Sequence, residues 1–153
     1  MITMREAKKD DIFDIYWLSN DPSIREASLA SENILLDTHI KWFLNKIIDP
    51  DIIFLLFFEE KKLISQIRFE LKNVDLAEVS ISIDHEYRNR GIGKELLTQA
   101  IEFASKRWKL KTIKAVIKKE NERSKRFFIK FGFNYYSQEK INNFECDIYI
   151  FAL

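Results

Sequence analysis

Apolar positions along the chain recur with helical spacing in some stretches and alternate like strands in others. Ile2–Ala7 predicts a first strand, after which Asp10 and Asp11 read as the cap of a helix carrying Ile12, Ile15 and Tyr16 on one face. Asn20-Asp21-Pro22-Ser23 breaks that helix, and residues 23–36 fit a loop with a short helical turn. Behind Asp37, read as a second cap, Ile40, Phe43, Leu44 and Ile47 recur at helical spacing up to Asp49-Pro50. The run Ile52–Phe58 is too short to cross a bilayer and reads as a buried strand, about 52–59, turning through Glu60-Lys61 into another over 62–71. From Glu78 to Asp84, Val79, Ile81 and Ile83 alternate with Glu78, Ser80, Ser82 and Asp84, which predicts a strand with one polar face.

A long amphipathic helix follows, its apolar stripe formed by Ile92, Leu96, Leu97, Ala100, Ile101 and Ala104. Lys111–Ile117 reads as the next strand, Asn121–Phe131 as a helix ended at Gly132, and 133–139 with 144–152 as a closing hairpin. The order β-α-α-β-β-β-α-β-α-β-β predicts an α/β fold: one domain over residues 1–153, with a mixed sheet of about seven strands and flanking helices.

Composition narrows the function. The 46% apolar content, with 13 Phe, fills a single core. With 25 basic and 24 acidic residues the net charge is +1, so no broad field for nucleic acid or membrane is expected and any anion must be recognised locally. Cys146 is the single cysteine, which excludes an intrachain disulfide; with no secretory hydrophobic stretch at the start, the expected location is the cytoplasm. No metal is expected.

Three glycines occur in all, and two of them, Gly91 and Gly93, share one strand-to-helix junction with Arg88, Arg90 and Lys94. A helix entered directly from a strand leaves its first N–H groups unpaired, and with the positive end of the helix dipole these form an anion site suited to a pyrophosphate. The expectation is that both glycines let phosphate approach the amides. A dinucleotide fingerprint would need a third glycine where Leu96 stands, and a P-loop would need Ser or Thr where Glu95 follows Lys94. Arg-x-x-Gly-x-Gly after a strand fits without gaps.

Ile81-Ser82-Ile83 followed by Arg88-Asn89-Arg90-Gly91-Ile92-Gly93 resembles the acetyl-CoA-binding motif of the GNAT acetyltransferases. Asn121-Glu122-Arg123-Ser124 through Phe131-Gly132-Phe133 resembles that superfamily's second motif, and the order of elements matches along the whole chain. The resemblance implies acetyl-CoA as co-substrate. It puts the pyrophosphate on Arg88, Asn89, Arg90, Gly91, Ile92, Gly93 and Lys94, and the pantetheine arm along Ile81, Ser82 and Ile83 where the sheet splays. Asn121, Ser124 and Phe128 of the second motif are then cofactor-facing. Phe128 occupies the position where many members carry a tyrosine that protonates the leaving thiolate, and Phe cannot donate. Tyr135, Tyr136 or a water are the candidate substitutes.

Acetyl transfer to an amine needs a base to remove an ammonium proton. Glu78 is the candidate, on the polar face of the strand that ends at the cofactor, with Val79 and Ile81 as apolar neighbours that would raise its pKa; Ser82 on the same face would orient a water. On the acceptor side, three pieces resemble the sugar-nucleotide branch typified by the acetyltransferase of pseudaminic acid biosynthesis: Trp17–Ser28, Thr38–Phe43 and Ser65–Glu70. These nominate Arg25, His39, Gln66 and Arg68 for an amino-sugar nucleotide acceptor, arginines offering forks to phosphate. Each has a structural alternative: Arg25 as a cap, His39 as a surface or capping group, and Trp42 beside them as core. A peptide N-terminus as acceptor, or a non-catalytic acetyl-CoA-binding module, are the competing functions; monomer and homodimer remain open.

Overall fold

The computed structural model describes residues 1–153 and orders them as β1 (Ile2–Glu6), a 3-10 turn (Lys9–Asp11), α1 (Ile12–Ser19), α2 (Pro22–Ala27), α3 (Leu36–Lys46), β2 (Ile52–Glu59), β3 (Lys62–Leu71) and β4 (Leu76–Ile83). A second 3-10 turn (His85–Tyr87) leads to α4 (Ile92–Arg107), then β5 (Thr112–Lys118), α5 (Glu122–Phe131), β6 (Asn134–Ile141) and β7 (Phe144–Ala152). The seven strands form one sheet in the order β1-β2-β3-β4-β5-β7-β6. Every neighbouring pair is antiparallel except β4 and β5.

Two apolar layers cover the two faces. On one, Ile53, Leu55 and Phe57 of β2, Ile67 and Phe69 of β3, and Ala77 and Val79 of β4 pack with Leu96, Leu97, Ala100, Ile101 and Ala104 of α4, and with Phe128 of α5. On the other, Ile52, Phe54, Leu56 and Phe58 pack with Ile15 and Leu18 of α1, Ile24 of α2 and Phe43 of α3. Strand β2, central to both layers, is therefore buried on both faces, as its unbroken apolar run requires.

Three helix starts differ from the sequence reading. Asp11 does not cap α1 with its side chain; its carboxylate accepts the Lys8 N–H at 2.7 Å and pairs with Arg5, tying the 3-10 turn to β1. The break at Asn20–Ser23 starts a new helix: Pro22 takes the first position of α2 and Asp21 caps it, accepting from the Ser23 N–H at 2.9 Å. Helix α3 begins one residue before Asp37, which lies in its first turn and so favours the helix dipole without capping.

Candidate active site

The site begins where β4 and β5 part. They pair only from Leu76–Thr112 to Val79–Ala115, after which β4 stays with β3 as far as Ile83 and β5 stays with β7 as far as Lys118. Backbone groups alternate along a strand, and the Asp84 N–H points to β3, donating to Ile64 at 2.8 Å. The N–H groups of Ile81 and Ile83 therefore face the wedge, as does the Ile81 carbonyl. The Ile83 carbonyl accepts from Arg88 Nε at 2.9 Å. An open strand edge of this kind can pair with an extended ligand arm.

The loop below the wedge curls around its own amides. Asn89 (φ 61°) and Gly91 (φ 74°) are both left-handed, and the N–H groups of residues 89–94 meet no acceptor within the chain. Amides left without an acceptor at the start of a sixteen-residue helix are donors that an anion can engage.

The two glycines do different work. A Cβ on Gly91 would meet nothing within 4 Å, so glycine serves the left-handed backbone there. At Gly93 a Cβ would stand 2.7 Å from Phe127 Cε1 and 3.3 Å from Ile83 Cδ1. Gly93 thus lets α4 close on α5, which corrects the expectation that it clears a path for phosphate.

Arg88 also departs from the reading as a free rim charge. Its guanidinium turns back to the Ile83 carbonyl and to Ser23 Oγ at 2.8 Å, joining the loop to α2; His85 Nδ1, 3.0 Å from Asp21 Oδ2, makes a second tie. Burial and then the like charge of Arg123 lower the Arg88 pKa. That proximity adds Arg123, a second-motif residue not among the expected site residues, to the basic surround. Arg90 lies over the Tyr87 ring at 4.9 Å, and Lys94 is exposed.

The profile of the acetyltransferase (GNAT) family matches residues 9–133. The chain belongs to the GNAT acetyltransferase family. That membership makes it an acetyltransferase, and no group of residues suited to a metal ion occurs in it. The GNAT chain superposes on solved structures over nearly its full length. The spermidine N-acetyltransferase of Vibrio cholerae, in complex with CoA and spermine, aligns with a TM-score of 0.87 at 18% identity, covering 99% of this chain and 95% of that one. The Salmonella typhimurium protein yncA with acetyl-CoA gives 0.82 at 18% identity over 99% and 94%, and an N-acetyltransferase of Staphylococcus aureus Mu50 gives 0.79 at 23% over 99% and 98%. No curated protein matches the sequence.

The second motif forms the helix its residues predict, but Phe128, expected to face the cofactor, turns into the core. Asn121 caps α5, its Oδ1 accepting from the Ser124 N–H at 3.2 Å, so Ser124 is held in the first turn beside the end of β5. Phe128 is 3% exposed and packs edge-on against Phe127 and Phe133 in the α4–α5 core. Tyr135 and Tyr136 lie on β6 at the sheet edge, with β7 between them and β5, so neither reaches the wedge.

On the opposite face, cross-strand register sets Gln66 against Ser82, Arg68 against Ser80 and Glu70 against Glu78. The face is shared as expected, but the surround of Glu78 is charged rather than apolar. Glu78 Oε1 lies 4.0 Å from Lys72 Nζ, which also faces Glu70, and Glu78 is still paired across to Lys114 before the wedge opens. Gln66 is 7% exposed, donating to Ser19 Oγ at 2.9 Å while its Oε1 has no partner.

Two of the acceptor-side candidates are committed to the chain. Arg25 donates to the Ser19 carbonyl (2.7 Å), the Ala30 carbonyl (2.9 Å) and Ser28 Oγ (3.1 Å), clamping the segment around α2. His39, expected at the surface, is 1% exposed: its Nε2 donates to the Ile12 carbonyl at 2.8 Å and its ring stacks on Phe43. Burial lowers its pKa, which keeps it neutral. Arg68 differs from both. Its guanidinium lies 4.9 Å over the Trp42 ring and 5.8 Å over Phe54, and pairs with no carboxylate.

Proposed function

We propose that the acceptor is a primary amine on a small molecule, specifically the amino group of a nucleotide-linked amino sugar. The observation that carries this is Arg68, a cation laid on an aromatic shelf beside the polar strand face with its hydrogen-bonding fork unengaged. A phosphate matches such a fork, whereas a polycation such as spermine would be repelled. The resemblance of Trp17–Ser28, Thr38–Phe43 and Ser65–Glu70 to sugar-nucleotide acetyltransferases points the same way.

Acetyl-CoA brings the acetyl group as an activated thioester. The unpaired amides of residues 89–94, with Arg88, Arg90, Lys94 and Arg123 around them, would hold its pyrophosphate. The open backbone groups of Ile81 and Ile83 would hold the pantetheine arm, flanked by Ser82, Asn121 and Ser124. Glu78, at the start of the polar face that runs through Ser80 to the wedge, accepts the ammonium proton through water, and Ser82 orients that water.

One thiol-release assay tests the reading, run with amino-sugar nucleotides, free amino sugars, polyamines and peptides. Amino-sugar nucleotides are expected to be turned over fastest. Arg68→Ala should raise their KM by roughly ten- to a hundredfold, since charge-assisted contacts are worth about 1.5–3 kcal/mol. Glu78→Gln should lower kcat/KM by about 10²–10⁴-fold, with the loss shrinking at high pH. Turnover of polyamines or peptides with none of amino-sugar nucleotides would overturn the acceptor assignment and leave the family membership intact.

A further inference from the structure

Phe128 leaves the wedge without a proton donor from α5, while one buried cation on the wedge's far margin has no counter-ion. Continued past Val79 and Ala115, the β4–β5 register sets Ser80 against Val116, Ile81 against Ile117 and Ser82 against Lys118 across the gap. Parallel partners share a face, so Lys118 rises on the Ser80–Ser82 side, opposite the core that holds Ile117 and Phe128. Lys118 is 4% exposed. Its Nζ donates to the Glu26 carbonyl of α2 at 2.7 Å and lies 3.9 Å over the Phe144 ring.

No carboxylate neutralises it: Asp147 pairs with Lys125 at 2.8 Å, and Glu145 faces Lys119 at 3.7 Å. A buried ammonium with one carbonyl and one aromatic face for company is costly, and the cost is offset whenever an anion forms beside it. Among residues 80–83 and 116–118, Lys118 is the one ionisable side chain.

We propose that Lys118 is the counter-charge and proton donor for the sulfur that leaves in acetyl transfer. The inference rests on acetyl-CoA lying along Ile81–Ile83 as set out above. The acceptor nitrogen bonds to the acetyl carbon, the carbon–sulfur bond breaks, and its electron pair stays on sulfur. Lys118 passes one proton to that sulfur. The neutral amine it becomes takes up the proton released by the acylated nitrogen, so Lys118 is restored, and one proton, drawn from the acceptor ammonium at the outset, leaves to solvent.

The test titrates the thiol of coenzyme A bound to the full chain, following the ultraviolet absorbance of the thiolate. In the unaltered protein the bound thiol should titrate about one unit or more below free coenzyme A. Lys118→Met should return it to the free value or above and lower kcat by roughly tenfold or more, with the KM for acetyl-CoA nearly unchanged. A merely structural tie between β5 and α2 would not move the thiol titration. Lys118→Arg keeps the charge and can keep the Glu26 contact, so the thiol should stay depressed while kcat falls, because a guanidinium holds its proton. A bound thiol that titrates like the free one, or equally in Lys118→Met, overturns the proposal. If the methionine variant does not fold, full kcat in Lys118→Arg overturns the proton transfer. Failure of acetyl-CoA to bind the unaltered chain would instead overturn the placement of the cofactor.

Discussion

Gly91 and Gly93 stand two residues apart and answer different constraints. Gly91 supplies a left-handed turn with open space around it, while Gly93 sits under an aromatic ring. Gly91→Ala should therefore strain only the loop, costing about 1–2 kcal/mol by the left-handed penalty, and weaken acetyl-CoA binding more than it lowers stability. Gly93→Ala drives a methyl into Phe127 and Ile83; overpacking of this kind costs about 1–3 kcal/mol, so Tm should fall even without cofactor. Thermal melts of both variants with and without acetyl-CoA separate the two. Equal apo Tm for Gly93→Ala and the unaltered chain would remove the packing role. The Gly-x-Gly spacing was legible in the sequence. The different roles of its two glycines were not, because Phe127 lies 34 positions further along the chain.

At the level of elements, α3 is anchored to α1 through His39. Its imidazole gives its proton to the Ile12 carbonyl and leaves Nδ1 buried without a partner, so protonation would put an unpaired charge into an aromatic cluster of Tyr16, Trp42 and Phe43. The folded-state pKa is depressed, so between the unfolded value near 6.5 and the lower folded value the unfolded chain binds a proton that the folded one does not. Stability should hold above about pH 6.5 and decline as pH falls through that window. Urea midpoints measured from pH 7.5 to 5.5 should show this decline, and His39→Gln should flatten it; an unchanged slope in the variant would assign the effect elsewhere. Sequence alone gave His39 a surface place because it counted position from an assumed cap at Asp37. His39 stands four residues before Phe43 and so shares its helix face, which packs on α1 and is buried.

Over the whole molecule, the two parts of the sheet are joined in backbone pairing only by the short β4–β5 ladder, while one apolar core runs beneath both. The ties from the segment between β4 and α4 to α2, through Arg88 with Ser23 and His85 with Asp21, and from β5 to α2, through Lys118 with Glu26, bridge the gap on one side. A ligand lying in the wedge joins the halves further, and linkage makes it stabilise the fold. Acetyl-CoA at a hundred times its Kd should add about 2.7 kcal/mol and raise Tm, and the increase should track ligand concentration. A Tm indifferent to acetyl-CoA would show that the wedge does not hold it.

The sequence by itself determined most of the strand and helix order, the buried double-faced β2, the polar face of β4 and the glycine-bearing junction into α4. These are written in local periodicity, in caps and in glycine spacing, each read within a few residues. Only the tertiary structure decided which polar groups stay available. Arg25, Arg88 and His39 look like ligand-binding residues by type and are engaged by carbonyls that lie 5 to 27 positions away. Arg68, nominated with them, and Lys118, which carried no role, end up half-buried or buried with no carboxylate at ion-pair distance. Side-chain availability depends on which distant backbone groups need a donor. It is a property of the packed chain that no local pattern carries.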